Sequence, residues 1–104
     1  MKRHSLQHSL VALSIGALMA GSACAADQVK VGLLSTLSGP GAGLGVDIRD
    51  GFNLAVKHMN GKIGNLPAEV VVVDDQQNPE VAKQTAERLL KRDKVDFMTG
   101  TVFS

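Results

Sequence analysis

The stretch Val70-Val71-Val72-Val73-Asp74-Asp75-Gln76-Gln77-Asn78-Pro79-Glu80 (residues 70–80, VVVVDDQQNPE) decides the fold, because it passes from a strand signal to a helix signal within one short turn. The four valines are β-branched and favour extended backbone. Their run is unbroken rather than alternating, which predicts a strand buried on both faces, with Ala68 and Glu69 at its start. Asn78 then stands as an N-cap, Pro79 suits the first helical position, and Glu80 complements the positive end of the helix dipole. Beyond it Val81, Ala82, Thr85, Ala86, Leu89 and Leu90 form one helical stripe. Glu87 precedes Lys91 by one turn, and Lys91 and Arg92 sit at the negative end of the dipole.

The same alternation continues in both directions. Val29 to Leu34 (VKVGLL) predicts a first strand and Val95 to Thr99 (VDFMT) a third. From about Gly45 to Met59, the residues Ile48, Phe52, Ala55, Val56 and Met59 recur on one helical face, and Asn60-Gly61 provides the stop. Strand, helix, strand, helix, strand is the order of an α/β fold with a parallel sheet and right-handed crossovers. No internal repeat, low-complexity tract or flexible linker interrupts it. Ligands of such sheets gather beyond the carboxyl ends of the strands. Ser35 to Gly45, Asp74 to Asn78 and Gly100 to Ser104 lie there.

Ahead of this pattern, Met1 to Ala25 has the form of a secretory signal peptide: Lys2 and Arg3, an apolar run from Leu10 to Ala20, then Ala23-Cys24-Ala25, with cleavage expected before Ala26. The apolar run is too short for a spanning helix, so the mature protein is not expected to span a membrane. Gly21-Ser22-Ala23-Cys24 matches a lipobox at two of the three positions before the cysteine, with Gly21 where leucine belongs. Ordinary cleavage is therefore expected rather than lipidation. Cys24 is the sole cysteine, so the mature part has no disulfide. Of 11 basic and 10 acidic side chains, Lys2 and Arg3 leave with the leader, and the net charge falls to −1. No basic stripe remains, and nucleic-acid binding is excluded. Residues 26–104 are near the lower limit for an independent core, and the chain stops just after a strand. The expectation is an N-terminal piece of a longer protein.

Catalytic and cofactor motifs are missing. The glycine-rich loop Ser35 to Gly45 fails the dinucleotide pattern in both registers, with Leu44 or Val46 where the last glycine belongs, and it has no Gly-Lys-Ser/Thr. Backbone N–H groups near a helix start still make it a candidate contact for a small anion. Asp74 and Asp75 have the look of a magnesium-binding acid pair or a ribose-binding acid. A complete strand and helix precede them, however, and a secreted protein fits neither chemistry. Bonding to the backbone of their own turn is the expected role. His58 has no second ligand at metal spacing, and neither Ser38 nor Ser104 lies in a nucleophile elbow. No enzyme activity, metal or cofactor is expected.

Taken together, VKVGLLSTLSGP, GFNLAVKHMN, VVVVDDQQNPEVAKQTAERLLKRDKVDFMTG and the closing TVFS resemble type 1 periplasmic binding proteins of the branched-chain amino acid (Leu/Ile/Val-binding) group. The resemblance runs over nearly all of Val29 to Ser104. It implies two α/β lobes that close over one ligand, this chain being the start of the first lobe. It further implies a periplasmic receptor that hands an amino acid or related small carboxylate to the permease subunits of an ABC importer. Ser104, with Thr101 and Phe103 beside it, would hold the ligand's carboxylate or amino group; Ser38, Gly39 and Leu44 would line the same cleft. Leu44 stands where some amino acid binders have tyrosine, which leaves branched-chain amino acids and aromatic acids both open. A ligand-sensing module of the same fold is the alternative, and a secreted hydrolase a more distant one.

Overall fold

Val29–Ser35 forms the central strand, β1, and everything else is arranged about it. The computed structural model describes residues 26–103, so the leader expected at 1–25 and the candidate Ser104 lie outside the described residues. The remaining elements are α1 (Ala42–His58), β2 (Lys62–Ile63), β3 (Leu66–Asp74), α2 (Pro79–Lys91) and β4 (Phe97–Gly100). The sheet order is β2-β3-β1-β4. Both neighbours of β1 run parallel to it, with Ser35 level with Asp74 and Leu34 level with Gly100. The expected α/β class and parallel strand-helix alternation are both present.

Alternation along β1 sorts its side chains between the two helical layers. Gly32 and Leu34 face α2: Leu34, Val73, Leu89 and Val95 form a buried cluster, with Val71, Ala82 and Ala86 packed against it. Val31 and Leu33 point to the opposite face, and both are fully buried. The order of the strands reverses at β1: the chain moves to one side to lay down β3 and returns across β1 to lay down β4. Such a switch point opens a crevice at the carboxyl ends of the strands.

Several boundaries differ from expectation for identifiable reasons. Helix α1 begins at Ala42, earlier than the expected Gly45, so Gly43 and Gly45 lie inside it. Gly45 is a packing glycine: a Cβ there would run into the backbone carbonyl of Thr36. The side of α1 that packs includes Ala42, Gly45, Val46, Phe52 and Val56, while Ile48, Ala55 and Met59 of the expected stripe are exposed. At its other end Asn60 (φ 58) and Gly61 (φ 72) make the expected stop as a Schellman motif. The Gly61 N–H donates to the Val56 carbonyl at 2.9 Å, and that of Asn60 to Lys57 at 3.0 Å.

The short strand β2 was not expected. It pairs antiparallel with β3 across Gly64-Asn65, both at positive φ (57 and 63), the geometry of a two-residue type I′ hairpin. Val73 is buried, but Val70, Val71 and Val72 are only half-buried, because β3 is flanked on its outer side by just Lys62 and Ile63. The third strand starts at Phe97 rather than Val95, since Val95 is drawn into the core under α2. In α2 the Asn78 side chain accepts from Glu80 and Val81, as the sequence predicted. Leu89 is fully buried, whereas Leu90, one position round the helix, is 52% exposed. Lys91 and Glu87 pair at 3.5 Å.

Candidate functional site

The carboxyl ends of β1, β3 and β4 open onto three crossings: Thr36–Gly41, Asp75–Asn78 and Thr101–Phe103. Asp74 ties the first two together. One of its oxygens, Oδ1, accepts the backbone N–H of Leu37 and of Gln76, each at 2.8 Å. The other, Oδ2, accepts the Ser38 hydroxyl at 2.6 Å. Asp75 is buried and repeats the scheme one residue on, accepting from the Thr36 hydroxyl at 2.7 Å and the Gln77 N–H at 2.8 Å. The acid pair thus bonds its own turn, as expected, and also clamps the loop after β1. Local sequence carried no signal for that second role, because the partners lie 36 to 39 residues away. The Ser38 hydroxyl, chiefly, and the N–H donors of Leu37, Gln76 and Ser38 outweigh desolvation and hold the Asp74 carboxyl below the usual carboxylate range.

A second tie joins the loop to the start of α2. The Gln77 side-chain carbonyl accepts the Gly41 N–H at 3.0 Å, taking one of the free donors at the start of α1. Gln76 and Gln77 both adopt left-handed backbone (φ 55 and 53), a costly conformation that the two aspartate acceptors stabilise. The ring of Phe103 packs over Gly41, where any Cβ would strike it. Phe103 also joins Asp75, Gln77, Asn78, Pro79 and Ala82 around a recess of about 250 Å³. The N-cap of α1, Gly41, has no side chain of its own to cap the helix, and no acidic residue lies in its first turn, unlike α2 with Asn78 and Glu80.

The crossing after β4 is strained. Gly100 (φ 114) lies so close to Leu34 that a side chain would overlap its carbonyl. Thr101 follows at φ 57, unusual for a β-branched residue, with its N–H donating to the Leu34 carbonyl at 2.6 Å. Strain of this kind concentrates at sites where geometry serves binding.

The structure therefore brings most of the sequence-derived candidates to one end of the sheet. Ser38, Gly39, Thr101 and Phe103 surround the strand ends, and Leu44 stands 60% exposed in the first turn of α1. Two of them have donors already engaged within the protein. Ser38 spends its only hydroxyl proton on Asp74, and Thr101 spends its backbone N–H on Leu34. Thr36, Asp74 and Gln77 were not among the candidates, yet they build the frame that holds Ser38 and Gly41.

Comparison with known proteins places this geometry in context. Residues 28–104 match the family model described as periplasmic binding protein. A Leu/Ile/Val-binding protein homolog of Brucella suis is 36% identical over 100 residues, covering 95% of this chain and 25% of the relative. A solved solute-binding protein of an ABC transporter from Rhodopseudomonas palustris, in complex with 4-hydroxybenzoate, superposes with TM-score 0.68 at 33% identity. It matches 74% of this chain and 21% of that one. A second from the same organism, in complex with benzoate, gives TM-score 0.66 at 35% identity over 71% and 21% of the two chains. The chain thus spans about a quarter of the length of the curated relatives it matches. Among the described residues no helix is long and apolar enough to cross a membrane. By sequence, by its parallel sheet and by these superpositions, the chain belongs to the periplasmic binding protein family, with its type 1 neighbours of the Leu/Ile/Val-binding group.

Proposed function

We propose that residues 26–104 begin the first lobe of a substrate-binding component of an ABC importer, which takes a small carboxylate into a cleft between two lobes. The observation that carries this reading is the convergence of the Thr36–Gly41 and Thr101–Phe103 crossings at the switch point of a parallel sheet, in a chain of this family. Neutral donors and helix starts hold a carboxylate without a buried counter-charge, and lobe closure then excludes water. Two ligand classes have support: relatives are named for leucine, isoleucine and valine, and structural neighbours are bound to benzoates. Leu44, apolar and exposed in the first turn of α1, suits either an aliphatic side chain or an aromatic ring.

In this reading residues 1–25 direct export and are removed, the mature receptor works in the periplasm, and its partners are the importer's permease subunits. It performs no catalysis. The test is a thermal-shift and calorimetric screen of the full-length mature protein against amino acids, short amides and aromatic acids. A micromolar or tighter small carboxylate supports the proposal; a protein that binds none of them defeats it. Ser104→Ala should weaken such a ligand by about 1–3 kcal/mol if its hydroxyl holds the carboxylate. An unchanged affinity removes Ser104 from the site.

A further inference from the structure

The Ser38 hydroxyl has one proton and two acceptor sites. It donates at 2.6 Å to an aspartate oxygen, the short distance of a charge-assisted bond, which is about twice as strong as a neutral one. Asp74 cannot swing away to release it, because its other oxygen is pinned by the N–H groups of Leu37 and Gln76. Ser38 itself is exposed at the carboxyl end of the sheet, so its acceptor side is open. No Lys or Arg lies within ion-pair distance of Asp74 among the described residues, and the charge is met by neutral donors alone.

We infer that Asp74 sets the hydrogen-bond polarity of the ligand site: Ser38 accepts a donor group of the ligand, a hydroxyl or ammonium, and the ligand's carboxylate lies away from it, toward the crossing after β4. The inference rests on the receptor reading above and deepens it by assigning an orientation. An uncompensated aspartate charge beside Ser38 repels a carboxylate and attracts a donor. The lowered pKa of Asp74 keeps that charge in place throughout the neutral range. Asp74 is a positioning residue here, acting on the ligand through Ser38.

Asp74→Asn makes the test sharp, because it inverts the polarity. The amide oxygen still accepts from Leu37 and Gln76, while the amide nitrogen faces Ser38 and donates to it. The Ser38 proton is then free to point outward. Calorimetry on the full-length protein would use two matched pairs, 4-hydroxybenzoate with benzoate, and L-leucine with 4-methylpentanoate. Within the pair it binds, the wild type should favour the donor-bearing member, and both Asp74→Asn and Ser38→Ala should lower that preference by about tenfold. A ratio of affinities cancels any general loss of folded protein, and Ser38→Ala carries the test if Asp74→Asn does not fold. A preference unchanged in a folded variant, or a wild type that favours the donor-free member, overturns the inference while leaving the receptor reading intact. Absence of binding by the wild type to all four acids overturns the inference, and the receptor reading falls with it only if the wider screen of amino acids, amides and aromatic acids also finds no ligand.

Discussion

Gly45 and Gly51 lie on the same helix, yet replacing each by alanine should have opposite effects. Alanine is favoured over glycine in a helix interior by about 1 kcal/mol. At Gly51, where nothing lies within 4 Å of an added Cβ, that gain stands alone. At Gly45 the same methyl meets the Thr36 carbonyl, a backbone group in the loop that Asp74 and Asp75 clamp. Neither side can give easily, and overpacking of this kind costs about 1–3 kcal/mol or more. A shift of the helix would also break the 2.9 Å bond from the Ser35 hydroxyl to the Gly45 carbonyl, worth about 1 kcal/mol. The two variants should therefore differ by roughly 2–4 kcal/mol, with Gly51→Ala the more stable. Urea unfolding of both in the full-length background measures this. Equal stabilities, or a Gly45→Ala protein as stable as wild type, would refute the close approach of α1 to the end of β1.

Other consequences can be checked in the same way. Asp74 has its pKa lowered on folding, so its bonds contribute stability at pH values above the usual carboxylate value of about 3.9, and that contribution is lost as pH falls through the lowered folded value. Melting temperatures between pH 2.5 and 6 should accordingly fall less steeply with acid in Asp74→Asn than in the wild type, and parallel curves would contradict the assignment. Asn78→Ala removes the acceptor for the Glu80 and Val81 N–H groups and should cost about 1 kcal/mol by denaturant titration, with Asn78→Asp close to neutral. Leu89→Ala empties the centre of the buried cluster under α2 and should cost about 2–5 kcal/mol, whereas Leu90→Ala, on an exposed position, should cost well under that.

The fold was legible where local physical chemistry dominates. The valine run, the Asn78-Pro79-Glu80 start of α2 and the Asn60-Gly61 stop of α1 each carry their own cause within a few residues, and each stands where the sequence placed it. The Gly64-Asn65 hairpin was equally local, and its turn signal was there to be read. Gly45 was not legible in the same way. A glycine that permits a close approach looks, in sequence, the same as one that makes a turn.

The site divides along the same line. The switch point follows from element order alone, so the crossings around Ser38 and Thr101 could be named in advance. The bonds that decide what those crossings offer could not. Gln77 reaching Gly41 and Asp74 reaching Ser38 are contacts between distant segments, made only when β1 and β3 lie side by side. Element order indicates the end of the sheet where the crossings meet; the register of β1 against β3 decides which of their groups bond to one another.

In the proposed receptor, the crossings after β1 and β4 together form one wall of a cleft for a small carboxylate. A crystal structure of the full-length protein with its bound acid tests this most directly. The ligand should lie over the carboxyl ends of β1 and β4, in contact with the Thr36–Gly41 and Thr101–Phe103 crossings. A ligand bound elsewhere, with those two crossings facing bulk solvent in the closed form, would contradict it.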